Sequence, residues 1–152
     1  MSGASAKTPA KSARHRAREL ALQGIYQWRL TGGDAAQIEK QICEEQGQSR
    51  YDGAFFAALL RGVLAQPANL EAAVAPYLDR PVAELSPVEF AVLLLGAYEL
   101  LQHPETPYRV VINEAVELAK DFGGADGHKF VNGVLDKLAT RTRMAEVNRR
   151  VR

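Results

Sequence analysis

The 152-residue sequence predicts an all-α fold. Three observations carry this reading. Apolar residues recur at three- and four-residue spacing through most of the chain. The breaks between these runs hold residues that start or stop helices, such as Asp34, Ser86, Gly32-Gly33 and Gly123-Gly124. Strand alternation and hairpin signals are missing, and only Tyr108 to Ile112 has enough β-branched residues to offer a minor strand alternative. The expected result is a compact bundle of about seven helices.

Taken in order, Met1 to Ala13 is rich in Ser, Ala, Lys and Pro without apolar periodicity, and reads as a disordered basic tail. A helix starts at Arg14, buries Ala17, Leu20, Ala21, Gly24, Ile25 and Trp28, and ends at Gly32-Gly33. Tyr26 falls away from that stripe, and Arg18 and Leu22 lead up to it in four-residue steps, which sets an aromatic ring beside arginines. Asp34 caps a second helix running to about Gln46, with Ile38 and Ile42 in a weaker pattern. Tyr51 to Ala65 repeats Phe55, Phe56, Leu59, Leu60, Val63 and Leu64 at helical spacing, with Asp52 in the favourable first turn. Pro67 suits the first position of the next helix, which Pro76 kinks or ends.

Ser86-Pro87-Val88-Glu89 is a capping box with proline at the first helical position. It opens a helix that is apolar on nearly every side through Leu101 and therefore belongs at the centre. Thr106-Pro107 repeats the device ahead of a helix whose stripe is Val111, Ala115, Leu118, Ala119 and Phe122. After the glycine hinge, Val131, Val134, Leu135 and Leu138 form the last stripe, with Phe130 at its edge. Residues 143 to 152 read as a basic C-terminal tail, leaving 14 to 142 as the helical domain.

One cysteine, Cys43, excludes an intramolecular disulfide and suits a reducing cytoplasmic compartment, where it serves as a small apolar residue. The longest apolar run, Phe90 to Tyr98, is far short of the ~20 residues that span a bilayer, and the N-terminus lacks the apolar core of a secretory signal. The net charge of +1 hides an uneven distribution. Residues 1 to 18 hold Lys7, Lys11, Arg14, Arg16 and Arg18 and no acid; residues 137 to 152 hold six bases against Glu146. Each end is thus +5 and the middle −9, a pattern that attracts a polyanion if the ends share a face.

Chemistry for an enzyme is sparse. His15, His103 and His128 lie far apart and outside any H-E-x-x-H motif, so neither metal nor cofactor is expected. Glu114 and Glu117 share a helix face, which reads more readily as a solvated or salt-bridged face than as a catalytic pair. Gly123-Gly124 lacks the lysine and spacing of a phosphate loop. Nucleic-acid binding fits better: arginines pair with phosphates, and arginine planes and tyrosine rings stack on unpaired bases, which makes Arg14 to Arg18 with Tyr26 the leading site.

RARELALQGIYQW at 16 to 28, AYEL at 97 to 100, PYRVVINEAVELAK at 107 to 120 and HKFVNGVLDKL at 128 to 138 together resemble the NusB family of transcription antitermination factors. The resemblance runs from Arg14 to Leu138 and implies a fold of two small helical bundles. It also implies binding to the single-stranded boxA element of nascent RNA, as a heterodimer with the ribosomal protein NusE. The implied setting is an RNA polymerase elongation complex with NusA and NusG that transcribes ribosomal RNA operons. By matching position it implies RNA contacts at Arg14, His15, Arg16 and Arg18 with Tyr26 nearby, and at Asp126, Lys129 and Phe130. Glu89 matches a position near the RNA and NusE surface, although the capping box already explains it. Two positions depart from the usual pattern: Leu94 stands where many relatives have arginine, and His15 interrupts the arginine run. Both remove positive charge, which implies modest affinity for RNA alone and a larger role for the partner. Some relatives form homodimers that bury the RNA surface, and nothing in this sequence decides that point. The rival readings are a protein-interaction module in which RNA binding is incidental, and an accessory domain to an RNA methyltransferase.

Overall fold

The computed structural model describes residues 12–151. Eight α-helices occur among them: α1 (Ala13–Thr31), α2 (Ala35–Gln46), α3 (Gly53–Ala65), α4 (Pro67–Val74), α5 (Pro87–Gln102), α6 (Tyr108–Phe122), α7 (Gly127–Thr142) and α8 (Met144–Val151). Single 3-10 turns at Ala75–Tyr77 and Val82–Glu84 connect α4 to α5. The expected tail of residues 1 to 13 lies outside the described residues up to position 11.

Local chemistry sets most of the boundaries. The Ser12 hydroxyl accepts from the His15 N–H at 3.0 Å and starts α1 one residue before the expected Arg14. Gly32 and Gly33 have φ of 72° and 96°, conformations that side chains resist, and so stop α1 where the sequence placed the stop. Asp34 caps α2 through the Gln37 N–H. Asp52 also caps, through the Phe55 N–H, rather than sitting inside the first turn of α3. Both halves of the Ser86–Glu89 capping box form. Pro76 falls just beyond α4, in the 3-10 turn.

Helices α1, α2 and α3 pack on one another, as do α5, α6 and α7, and these are the two sub-bundles. Helix α5 joins them, touching α1, α3, α4, α6 and α7. Every residue from Phe90 to Ala97 is buried, as an all-round apolar helix requires. Close approach of helices depends on Gly24, Gly62 and Gly96: a Cβ there would lie 2.7 Å from Leu60 Cδ1, strike the Tyr98 ring, and lie 2.6 Å from Leu135 Cδ1, respectively.

The structure corrects several expectations. Tyr108 to Ile112 is helical, since Tyr108, Val111 and Ile112 bury on one helical face. The Thr106-Pro107 start does not repeat the serine device: Pro107 is itself the cap residue, and the Thr106 hydroxyl is buried without a hydrogen-bond partner. The Glu146 carboxylate of α8 instead accepts from the Tyr108 N–H at 2.8 Å. Phe122, expected in the stripe of α6, is 50% exposed at the last residue of the helix. Leu94 is fully buried, so its side chain takes no charge from the surface. Cys43 is exposed rather than packed.

The largest correction is at the C-terminus. Residues 144–151 are helical, and Arg143 is buried. Its guanidinium donates to the carbonyls of Glu99, Leu100, His103 and Thr106 and to the Glu146 carboxylate. A basic residue of the expected tail thus closes the C-terminal end of the central helix, where carbonyls lack intrahelical donors. Removing it leaves four carbonyls, three of them on buried residues, without a charged donor. Arg143→Ala is expected to cost about 3 kcal/mol, read as a fall in Tm of roughly 6–12 °C. A Tm within error of the parent would contradict the docking. Burial would raise the Glu146 pKa, yet the Tyr108 N–H and Arg143 hold it below its ordinary range. Its contribution is therefore complete above the ordinary glutamate range and fades as pH falls through the lower folded value. Urea unfolding between about pH 6 and pH 3 should show a flatter acid-side decline in Glu146→Gln than in the parent.

Candidate nucleic-acid interface

The first two turns of α1 carry the arginines, and helical geometry sends them in different directions. Arg14 is exposed; its guanidinium lies 3.7 Å from the centroid of the Phe55 ring and 3.8 Å from Asp52 Oδ2. Arg16 is half-buried and donates to Glu19 Oε1 at 3.0 Å and Gln46 Oε1 at 3.1 Å. His15 Nδ1 lies 2.8 Å from Glu114 Oε1, and its Nε2 lies 3.4 Å from Glu19 Oε2.

Arg18 points inward. It is 4% exposed and donates from Nε and Nη2 to both Glu99 oxygens, at 2.8 and 2.9 Å, with Glu114 a further 3.5 Å from Nη1. Burial alone would lower its pKa, but the hydrogen bond and charge of Glu99, with Glu114, raise it above the ordinary value. A guanidinium enclosed in this way is not presented to a phosphate, so the expected contact at Arg18 gives way to an internal ion pair. Glu114 and Glu117 also separate: the former joins this cluster, and the latter lies 3.9 Å from Lys120 at the surface.

Tyr26 is 38% exposed, as its position off the core stripe predicts. It lines a cleft of about 310 Å³ with Arg16, Gln23, Leu22, Val88 and Phe122. Sequence periodicity missed Phe122 as a surface residue; the signal available was its place as the last residue before the glycine hinge. Residues of α5 next to the cleft approach the segment that leads into α7. Val88 approaches Gly123, where a Cβ would sit 3.7 Å from Val88 Cγ1, and Glu89 approaches Gly127, where a Cβ would sit 2.9 Å from Glu89 Oε2.

At that end Asp126 and Lys129 are exposed and 3.7 Å apart. Asp126 occupies the cap position of α7 without a side-chain capping bond. Phe130 is half-buried and lines a cleft of about 200 Å³ with Tyr77, Asp79, Lys129, Gly133 and Lys137. Arg80, another residue the sequence reading passed over, lies 4.4 Å over its ring and pairs with Asp79. The structure thus groups Arg16 with Tyr26 in one cleft and Lys129 with Phe130 in another, with Asp126 beside Lys129 and Glu89 close to Gly127 at the start of α7. The basic N-terminal segment also reaches the basic C-terminal one: Arg14 covers Phe55, Phe55 meets His103 edge-on, and the His103 carbonyl accepts from Arg143.

Comparison with known proteins gives a consistent picture. The NusB family model matches residues 15–140. The chain is 60% identical over 146 residues to the transcription antitermination protein NusB of Ralstonia pickettii (strain 12J), covering 96% of this chain and 94% of that one. It is 56% identical over 146 residues to the protein of the same name from Bordetella pertussis (strain Tohama I), covering 93% and 95%. Among solved structures, T. maritima NusB superposes with a TM-score of 0.74 at 32% identity, covering 86% of this chain and 93% of that chain. A structure of the antitermination factors NusB and NusE in complex with double-stranded RNA gives a TM-score of 0.76 at 25% identity, covering 84% and 96%.

The opposed placements of Arg14 and Arg18 predict opposed consequences. Arg18→Ala strands Glu99 as a buried charge and is expected to cost about 3–5 kcal/mol in urea unfolding. Arg14→Ala, at an exposed pair, is expected to cost less than about 1 kcal/mol. Equal costs would mean that the inward pair is not formed.

Proposed function

The chain belongs to the NusB family of transcription antitermination factors, and from that premise we propose that it binds single-stranded RNA of the boxA type, together with a NusE-like ribosomal protein. The observation that carries this reading is the cleft in which Tyr26 and Phe122 stand beside Arg16. Exposed rings next to a guanidinium suit unpaired bases on a phosphate backbone, and bases already unstacked enter such a cleft without the cost of opening a duplex.

In this reading Arg14 and Arg16 contact phosphates, Tyr26 stacks on a base, and Lys129 and Phe130, with Asp126, extend the track along α7. His15 is tied to Glu114 and contributes alongside the track, and Arg18 holds the helix that presents the rest. Glu89, which approaches Gly127 at the start of α7, meets RNA or partner in this reading. The acidic middle of the chain, at −9, complements a basic ribosomal protein. The setting is a cytoplasmic RNA polymerase elongation complex with NusA and NusG that transcribes ribosomal RNA operons.

Fluorescence anisotropy with a boxA-like RNA and a scrambled control, with and without NusE across a salt series, tests the proposal. Selective binding that tightens with NusE is expected. Equal, weak and steeply salt-dependent binding to both RNAs would overturn it and favour a protein-interaction module. Arg16→Ala should weaken both RNAs alike and lower the salt slope by about 1. Tyr26→Ala should cost on the order of 1–3 kcal/mol of RNA binding while the chain stays folded, because its ring is off the core.

A further inference from the structure

Helix α1 carries a fourth arginine, Arg29, in its last turn. The other three are each committed to a carboxylate: Arg14 lies 3.8 Å from Asp52, Arg16 3.0 Å from Glu19 and Arg18 2.8 Å from Glu99. Arg29 has no such partner among the described residues. It is exposed, and its guanidinium carbon sits 4.0 Å over the centroid of the Phe90 ring near the start of α5. We infer that Arg29 binds a phosphate of single-stranded RNA lying in the Tyr26 cleft and extends the contact surface to the C-terminal end of α1, an assignment that rests on that cleft binding RNA.

The position follows from helical spacing. Leu22 and Tyr26 both line the cleft, and Arg29 stands next in their row, one turn beyond the tyrosine. On α5, Phe90 is two positions beyond Val88, which also lines the cleft. Arg29 thus belongs to α1 by its backbone and touches α5 through the ring. At 1.5 Å per residue, Arg16 and Arg29 lie about 20 Å apart along the axis, with Tyr26 between them. Cations at both ends of an aromatic surface suit a single strand, whose phosphates meet the charges while its bases stack on the rings.

The contact with Phe90 prepares the guanidinium for this role. A cation–π contact engages the face of the group, whereas its five N–H donors lie in the plane and remain available to phosphate oxygens. Phe90 is 3% exposed, a core ring that gives the arginine a fixed support, so less side-chain freedom is lost when a phosphate arrives. Arg18 is internal and His15 is tied to Glu114, so the start of the helix presents less charge than its sequence suggests. Arg29 supplies a cation at the other end. A purely structural arginine that covers Phe90 and complements the last carbonyls of α1 would affect stability and leave the salt dependence of RNA binding unmoved.

Fluorescence anisotropy of the full-length chain with the boxA-like RNA and its scrambled control, with NusE across a salt series, separates the two. Arg29→Ala and Arg29→Met are each expected to lower the salt slope by about 1 and to weaken both RNAs by the same factor, while Arg29→Lys retains the slope. Methionine keeps an apolar stem over Phe90, so the result of Arg29→Met stands even if Arg29→Ala lowers the Tm. Arg16→Ala combined with Arg29→Met should lower the slope by about 2, since sites this far apart act independently. A slope unchanged in Arg29→Met but lowered in Arg16→Ala would overturn the role of Arg29 and leave the RNA-binding function standing. A parent chain that binds neither RNA, or slopes unchanged in both variants, would overturn both.

Discussion

The bidentate pair of Arg18 with Glu99 is the constraint on which the rest of the structure depends. It joins α1 to α5 inside the core, and Glu114 adds α6 to the same cluster. Desolvating a guanidinium and a carboxylate costs several kcal/mol per ion, and the two parallel hydrogen bonds offset that only in one geometry. A sliding or rotation of α1 on α5 would break the geometry and leave buried charges. Apolar packing between Leu20, Ile25 and their neighbours tolerates small slips; this pair does not. The pair fixes the register of α1, and the register decides which side chains reach solvent.

That dependence explains why the arginine run is less basic than it looks. Arg14 lies near Asp52, Arg16 meets Glu19 and Gln46, Arg18 is internal, and Arg143 at the other end is consumed by carbonyls. Formal charge counts of +5 at each end therefore overstate the positive field that a polyanion meets. What remains is a modest field with aromatic surface inside it: Tyr26 and Phe122 in one cleft, Phe130 in another. Such a surface draws more from stacking than from Coulomb attraction and leaves room for a partner to add contacts.

Much of this was legible in the sequence, and what escaped shares one physical cause. Periodicity and caps located α1 to α7 because each depends on residues within one or two turns: Asp34, Ser86 and Gly32 act on their own neighbours. Tyr26 was legible for the same reason, since its angle from the core stripe is a local property. Arg18 was misread because its partners stand 81 and 96 positions away, and no local signal separates an arginine aimed at solvent from one aimed at a distant glutamate. Arg143 failed likewise: a base near the C-terminus reads as tail until the open end of α5 is in view. Thr106-Pro107 looked like a start signal, yet the donor is satisfied by Glu146 from another helix. In each case a long-range polar contact overrode a sound local expectation.

The same reasoning orders the cluster around His15. A histidine within an arginine run reads locally as lost charge, and its neighbours decide otherwise. Glu114 meets both Arg18 and His15, so the carboxylate that completes the buried cluster also fixes the orientation of a half-buried ring at the edge of the cleft. Core and surface are thereby coupled through one side chain. Moving Glu114 to serve either partner alone would disturb the other. The aromatic cleft begins beside it on the same helix, with Arg16 and Glu19 in its wall.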